Sequence, residues 1–332
     1  MRALRFRQGK AAEEIQPGSG AEEPGGEVWL DLQRRDLAAG GSSPPHPWLR
    51  KLHPLTADAL RRSDPRHLAA AQEQYIHVRM QAMVEEASAE RGTASAARDA
   101  VLEAPRLAIL DVVLGRGYAL SVADAEIPAW DAVWRQLRQG DRRADSVDFA
   151  LYHALAAVVA AYRASGERLT REAEGVDQRL LRLSEHHILR EIVRVRRHAL
   201  QLRSVLVPAR DGLQLLAGDG GDRPVRPENR PYFADLRGEA AEAISAVEGV
   251  REAMGEAVEA FTSVQSTQMN RVMQLFTVLA VVIAPPMLVA SIYGMNFRIP
   301  EYRWPHGYAY AVGLMFALAA GFYLYVRGRR WL

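Results

Sequence analysis

Two runs of uncharged, mainly apolar residues near the C-terminal end constrain the fold more than any other feature of the sequence. Residues 272–293 read VMQLFTVLAVVIAPPMLVASIY, and residues 308–326 read YAYAVGLMFALAAGFYLYV. A helix needs ~20 such residues to cross the hydrocarbon core of a bilayer. We therefore expect each run to form a transmembrane helix. The alternative, a pair of buried helices in a soluble core, is disfavoured because two such runs in tandem are rare in soluble domains.

Basic residues flank the outer ends of this pair of runs. Arg271 precedes the first run, and Arg327, Arg329 and Arg330 follow the second. Lysine and arginine are retained on the cytoplasmic side of a membrane, so both termini should be cytoplasmic and residues 297–307 should lie outside. The N-terminal residues lack the apolar stretch of a secretory signal, which also predicts a cytosolic start. The three arginines after the second run would form a basic ring near the inner mouth of any pore.

Pro285 and Pro286 interrupt the first run near its middle. Each proline lacks a backbone donor, so two carbonyl groups one turn earlier lose their helical partners. In lipid such carbonyls need protein or water around them, which predicts that the first span packs among other helices or lines a pore. Because two helices cannot enclose a pore, a pore would require an oligomer around a symmetry axis.

Composition excludes several classes of function. The chain has no cysteine, so it has no disulfide scaffold, thiolate zinc site or cysteine nucleophile. Its 42 Lys and Arg against 40 Asp and Glu give a net charge of +2, which argues against nucleic acid as a partner. The motifs of nucleotide-binding loops, zinc proteases and serine hydrolases are missing, and the histidines are scattered. The sequence therefore predicts a protein that is not an enzyme.

The residues before the stalk predict a cytosolic α+β domain with a sandwich-like α/β arrangement. Strands are expected at 26–32, 73–83, 106–113 and 117–122, and two or three helices should follow them, with Pro208 near the start of one. The predicted organisation comprises an α/β domain at 1–145, a helical part at 146–231, a stalk helix at 232–271, the first span at 272–293, a motif and outer loop at 294–307, the second span at 308–326 and a basic cytosolic tail at 327–332.

A heptad pattern runs along the predicted stalk helix. One series of apolar or small residues is Phe233, Ala240, Val247, Met254 and Phe261, and the other is Leu236, Ala243, Val250, Ala257 and Val264. Such spacing is typical of a coiled coil between chains. A helix packed within its own chain would show the same seam. Both interpretations require a long helix that enters the membrane.

The first span ends in the pentapeptide YGMNF at 293–297, and this motif carries a resemblance to a known family. With a second span close behind it, the motif resembles the CorA family of divalent-cation transporters, within the larger group that includes ZntB-type metal ion transporters. The IPE that follows, the RWPHGY and RGRRWL segments, and upstream VWLDL, LHPLTADALR and YFADL also resemble family members. The resemblance implies a funnel-shaped homopentamer in the inner membrane, in contact with membrane lipid. It implies channel-like influx of Mg²⁺, with Co²⁺ and Ni²⁺ as further cargo.

The resemblance also assigns roles to residues of the first span. Asn296 would form a ring of five amide oxygens at the outer pore mouth, held there by Gly294 and Met295. Amide oxygens bind the waters around Mg²⁺ without stripping them from the ion. The predicted inner pore and gate consist of Met287, Phe276, Met273, Asn270 and Glu259.

Two acidic residues complete the predicted sites. Asp235, in YFADL, matches a stalk aspartate that binds regulatory Mg²⁺ between cytosolic domains in the family, and the sequence does not identify its partner carboxylate. Glu301 is the single acid of an outer loop that also carries Arg298 and Arg303, whereas family loops are often more acidic. External cation attraction is therefore expected to be weak.

Two other functions stay open at this level. A Zn²⁺ transporter of the ZntB type would share the topology, but such sequences typically have GVN in place of the intact GMN found here. A non-conducting scaffold or signalling protein with a coiled-coil stalk would explain the spans, but it needs no amides at both ends of one span. Asn270 and Asn296 supply such amides.

Overall fold

The computed structural model describes residues 1–7, 12–15, 26–38, 49, 52–64, 68–72, 74–84, 106–140, 144–180, 186–218, 223–296 and 300–328. The chain divides into two compact units. The first comprises Met1–Leu181 and His187–Glu256, and the second includes Ala257–Leu332.

A seven-stranded mixed sheet forms the centre of the first unit. Its strands are β1 (Arg2–Phe6), β2 (Glu13–Ile15), β3 (Glu27–Gln33), β4 (Leu68–Ala71), β5 (Tyr75–Met83), β6 (Leu107–Gly115) and β7 (Tyr118–Ala123). The spatial order is β2-β1-β3-β7-β6-β5-β4, and β3 with β7 is the parallel pair in an otherwise antiparallel sheet. The four predicted strands are confirmed as β3 and β5–β7, whereas β1, β2 and β4 were not predicted.

Two short helices cover one face of the sheet. They are α1 (Arg34–Ala38) and α2 (Pro54–Arg61). Leu37 and Leu60 from these helices join Leu30, Val113 and Leu120 of the strands in one buried apolar cluster. Burial of leucine-sized side chains contributes about 1.5–3 kcal/mol each, so this cluster fixes both helices on the sheet.

Three longer helices follow the sheet in the chain and cover its other face. They are α3 (Pro128–Gln139), α4 (Val147–Leu180) and α5 (His186–Ala217). Trp29 of β3 packs edge-on against Trp130 and Trp134 of α3, with ring centroids 5.3 and 4.9 Å apart. A Cβ atom at Gly212 of α5 would lie 2.3 Å from Val78 Cγ1 of β5, so only glycine lets this helix approach the strand.

The prediction that Pro208 lies near a helix start is wrong, because Pro208 lies inside α5. Its ring removes one backbone hydrogen bond from the helix interior, at a cost of ~3 kcal/mol in an isolated helix. The neighbouring side chains Leu206, Ala209 and Leu213 are fully buried. Their packing offsets the lost bond, which local sequence rules do not take into account.

The long helix α6 (Arg230–Tyr293) begins in the first unit, where its heptad seam is buried within the chain. Phe233 and Val247 are almost fully buried. The rings of Phe233 and Tyr152 of α4 lie 5.9 Å apart, and Arg203 Nε of α5 donates to Glu248 Oε1 at 2.8 Å. Of the two interpretations of the seam, the structure therefore favours packing against α4 and α5 over a coiled coil between chains.

The second unit contains the C-terminal part of α6, a 3₁₀ helix (Pro300–Arg303) and α7 (Gly307–Gly328). Pro285 and Pro286 lie within the continuous α6 helix. Among the described residues, three helices are long and apolar enough to cross a membrane, namely α4, α6 and α7. Half of the apolar window of α4 is buried in the protein, against 6% and 11% for α6 and α7. The apolar side chains of α4 therefore belong to the core of the first unit.

Candidate functional site: the exposed face of α6 and its Gly-Met-Asn end

Large apolar side chains are exposed on all sides of α6 in the second unit, and three of them share one face. Met273, Phe276 and Met287 are 61%, 63% and 63% exposed. At about 100° of rotation per residue, these three positions lie within about 60° of one another around the helix. A helix face this apolar and this exposed requires an apolar surrounding or a partner, because isolated chains in water do not leave such surface uncovered.

Two polar residues continue this face toward the N-terminal end of the helix. Asn270 precedes Met273 by less than one turn, and Glu259 precedes Asn270 by three turns on the same side. Both side chains are exposed. The predicted inner pore residues thus lie within about 120° of one another around the continuous helix α6.

The Gly-Met-Asn motif forms the end of α6. Gly294 N donates to Ala290 O at 2.9 Å, and Met295 N donates to Ile292 O at 3.2 Å, so the last turn is closed by backbone bonds. A Cβ atom at Gly294 would lie 3.3 Å from Ala290 O, tighter than an ordinary contact. Asn296 follows this closed turn with an exposed side chain. Its amide is therefore presented beyond the helix end.

The acid of the outer loop lies beside this helix end. Glu301 belongs to the 3₁₀ helix and is half-buried, and Trp304 N and Gly307 N continue the turn by donating to Glu301 O and Trp304 O at 3.1 and 3.2 Å. A Cβ atom at Gly307 would lie 2.2 Å from Glu301 O, so this turn requires glycine. Glu301 and Gly294 both line a cavity of about 590 Å³.

The predicted regulatory residue lies in the first unit. Asp235 is exposed on α6, next to Leu236, which is buried in the seam. Its carboxylate therefore faces away from the packed side of the helix. The described residues include no group of three or more His, Cys, Asp or Glu side chains placed to hold a metal ion.

The basic residues of the predicted inner ring are only partly described. Arg327 is exposed in the last turn of α7. Arg329 and Arg330 lie outside the described residues, as does Phe297 of the YGMNF motif.

A buried charge network in the first unit was missed by sequence reasoning. Asp111 of β6 accepts hydrogen bonds from Arg34 Nη2 at 2.7 Å and Arg79 Nε at 2.8 Å, and its Oδ1 lies 2.7 Å from His77 Nε2. Burial raises the pKa of Asp111, but the bonds from His77, Arg79 and Arg34 outweigh it and hold that pKa below its usual range. The sequence offered one signal for this network, namely a charged residue within each of two otherwise apolar strands, Arg79 in β5 and Asp111 in β6.

The same arginines tie this network to the end of α2. Arg34 Nη1 donates to the backbone oxygens of Leu60 and Arg62 at 2.6 and 2.8 Å, and Arg79 Nη1 donates to Asp64 O at 3.0 Å. Cations at a helix C-terminus satisfy carbonyl groups that have no partner within the helix. The network therefore stabilises the fold of the first unit.

Comparison with known proteins gives one family. The family described as CorA-like Mg²⁺ transporter protein matches residues 26–329. The cobalt/magnesium transport protein CorA of Thermotoga maritima is 26% identical over 226 residues, which are 67% of this chain and 64% of the relative. The magnesium transport protein CorA of Yersinia pestis is 47% identical over 66 residues, or 20% of this chain and 21% of the relative. The matched region thus spans less than two thirds of either relative.

A solved structure extends the likeness to the whole chain. The complete structure of the CorA magnesium transporter from Methanocaldococcus jannaschii aligns with 100% of this chain and 99% of its own, with a TM-score of 0.77 and 18% sequence identity. The match establishes a shared fold. The predicted fold class, a sheet-containing domain followed by long helices, is confirmed in this respect.

Proposed function

The chain belongs to the CorA-like Mg²⁺ transporter family, as its motifs predicted, and on this basis we propose that it is a channel-like Mg²⁺ importer. Members of this family are ion transporters and not enzymes. The names of the relatives from Thermotoga maritima and Yersinia pestis support Mg²⁺ and Co²⁺ as cargo, and Ni²⁺ is proposed as a further ion.

The exposed face of α6 is the observation that carries this proposal. Met273, Phe276 and Met287 share one side of a helix whose end presents Asn296. A single copy of this helix encloses nothing, so we propose a funnel-shaped homopentamer in which five copies of this face surround the ion path. Rings of Met and Phe would then form an apolar constriction that gates by dewetting.

Selection is assigned to the ring of Asn296 side chains. Mg²⁺ dehydrates reluctantly and prefers octahedral oxygen ligands. Neutral amide oxygens bind the waters of the hydrated ion and release it again, whereas five carboxylates would hold it. Gly294 supports this role because its backbone hydrogen bond closes the last turn of α6, and this turn fixes the position of Asn296 two residues later.

The membrane potential supplies the driving force for ion entry. We propose that α6 and α7 span the inner membrane with both termini in the cytoplasm, which places Asn296 outside and Arg327 inside. A membrane potential contributes about 2.3 kcal/mol per charge per 100 mV, so an ion of charge +2 gains about twice this on entry.

Mg²⁺ uptake into proteoliposomes with a negative internal potential tests the proposal. The wild type should take up Mg²⁺, and Asn296→Ala should lower the rate at least about tenfold while the protein remains a pentamer. Gln268→Ala is the control for removal of an amide from α6. Gln268 lies about 200° around the helix from Asn270, and therefore away from the proposed ion path. Uptake by this variant should equal that of the wild type.

The same assay separates the competing functions. Zn²⁺ uptake that follows a pH gradient, without Mg²⁺ uptake, would indicate a zinc transporter of the ZntB type. No uptake of either ion by a correctly inserted protein would indicate a non-conducting scaffold.

We also propose that Asp235 binds regulatory Mg²⁺ between cytosolic domains of neighbouring copies. Its exposed carboxylate on α6 supports this role, because like charges that meet at an interface repel unless a cation lies between them. Asp235→Asn should raise the internal Mg²⁺ concentration needed to halve uptake by about tenfold. Asp58→Asn is the control, because the Asp58 side chain is exposed on the surface of α2. If Asp235→Asn leaves the internal Mg²⁺ concentration that halves uptake unchanged, Asp235 does not bind the regulatory ion.

A further inference from the structure

We propose that the cavity between the end of α6, the 3₁₀ helix and the start of α7 binds the ammonium headgroup of an aminophospholipid such as phosphatidylethanolamine. The proposal rests on membership of a membrane-transporter family but not on the identity of the transported ion. The cavity lies wholly within the second unit.

Size sets the first limit on the occupant. The cavity measures about 590 Å³, within the range typical of sites for organic molecules. A water molecule occupies ~30 Å³ in the liquid, so the space far exceeds what one or two ordered waters fill. The cavity is therefore large enough for a group of headgroup size.

Charge sets the second limit. Among the described residues that line the cavity, Glu301 is the sole acid, and none is Lys or Arg. One carboxylate attracts a cation but does not satisfy Mg²⁺, which takes six oxygen ligands. A monovalent ammonium group matches a single carboxylate.

The aromatic side chains favour the same group. Tyr293, Trp304 and Tyr308 line the same cavity as Glu301. Ammonium groups bind to the faces of such rings, most strongly to Trp. Trp304 packs edge-on against Tyr310, with ring centroids 5.8 Å apart, which holds its ring in place.

The apolar wall and the location identify the ligand as a lipid. Ala290, Ala311, Val312 and Met315 form the apolar part of the lining. They belong to helices whose apolar runs end at this level, where tyrosine and tryptophan mark the boundary between lipid tails and headgroups. A headgroup amine beside Glu301 and acyl chains along α7 would fill both parts of the cavity.

Lipid retention by the full-length protein tests the proposal. Protein in detergent is incubated with equal amounts of phosphatidylethanolamine and phosphatidylglycerol, washed, and its bound lipids are counted by mass spectrometry. The wild type should retain phosphatidylethanolamine preferentially. Glu301→Gln should reduce that preference about tenfold, as expected from loss of one charge-assisted contact.

A cavity-filling pair provides the matched control. Ala311→Phe inserts a ring at a buried position of the lining and should abolish preferential retention. Ala320→Phe adds the same ring at an exposed position of α7, about 180° around the helix, and should leave retention unchanged.

Three outcomes would overturn the proposal. They are equal retention of the two lipids by the wild type, an unchanged preference in Glu301→Gln, and an Ala311→Phe protein that changes oligomer size while the wild type holds no lipid. The last outcome would show that another copy of the chain fills the cavity. Mg²⁺ uptake measured on the same preparations reports separately on the proposed transport.

Discussion

Phe233 and Phe276 lie on the same helix but in opposite surroundings. Phe233, in the first unit, is fully buried against α4, whereas Phe276, in the second unit, is 63% exposed. The residue type and the secondary structure are identical, so the neighbours make the difference. Most of the large apolar side chains described in the first unit are buried within the chain, whereas many of those in the membrane-type helices of the second unit are exposed.

Charged groups show the same contrast. In the first unit, Asp111, Arg34 and Arg79 are buried and satisfy one another. In the second unit, Arg271 and Arg327 flank the two apolar runs. Burial of charge requires fixed partners, which a sheet with helices on both faces supplies. Two long apolar helices supply none, so their charges lie where water reaches them.

The two phenylalanines give the sharpest test of this contrast. Phe233→Ala should lower the free energy of unfolding by about 3–5 kcal/mol, because it opens a cavity in a packed core. Phe276→Ala should change the free energy of unfolding by less than about 0.5 kcal/mol, and it should raise Mg²⁺ uptake by widening the proposed constriction. Urea unfolding of the full chain in detergent, followed by tryptophan fluorescence, measures the first effect. Equal destabilisation by the two variants would contradict the division into two kinds of packing.

Asp111→Asn should have the next largest effect. It should lower the free energy of unfolding by about 2–3 kcal/mol, because two buried arginines lose a charged partner. The pKa of Asp111 lies below its usual range in the folded protein. Its contribution is therefore complete above the unfolded pKa of about 3.9 and is lost as pH falls through the lower, folded pKa. The difference in free energy of unfolding between wild type and variant should therefore narrow as pH falls below about 4.

An exposed ion pair is the control for Asp111. Asp58 and Arg62 pair on the surface of α2, with side chains 51% and 69% exposed. Asp58→Asn should lower the free energy of unfolding by less than about 1 kcal/mol, because solvent screens the pair. If Asp111→Asn lowers the free energy of unfolding no more than Asp58→Asn does, the buried network does not hold the first unit together.

Local patterns predicted the central strands and both apolar runs, and they failed where distant residues decide the outcome. The alternation in 73–83 and 106–113 marked β5 and β6, whereas β2 and β4 are too short to show a period. The bond between Arg34 and Asp111 joins residues 77 positions apart, which no local pattern reports. The α6 seam was ambiguous because a heptad repeat indicates a packed side but not the partner.

The candidate site was predictable along one helix and no further. The family resemblance assigned Met273, helical spacing added Phe276 and Met287 on the same side of α6, and the helix is continuous through Pro285 and Pro286. The cavity beside Glu301 was not predicted, because it depends on how the 3₁₀ helix turns back at Gly307. The role of Asn296 depends on neighbouring copies and stays a prediction.

Cysteine modification during Mg²⁺ uptake tests most directly whether the exposed face of α6 lines the ion path. The chain has no cysteine, so a single introduced thiol reports on one position. Met273→Cys and Met287→Cys lie on the proposed path. Leu275→Cys is the control because Leu275 is equally exposed, at 61%, but lies about 160° from Met273 and about 120° from Met287 around the helix. A charged methanethiosulfonate reagent should lower uptake about tenfold at the first two positions and less than about twofold at the third. Equal effects at all three positions, or none at Met273 and Met287, would contradict a path along this face.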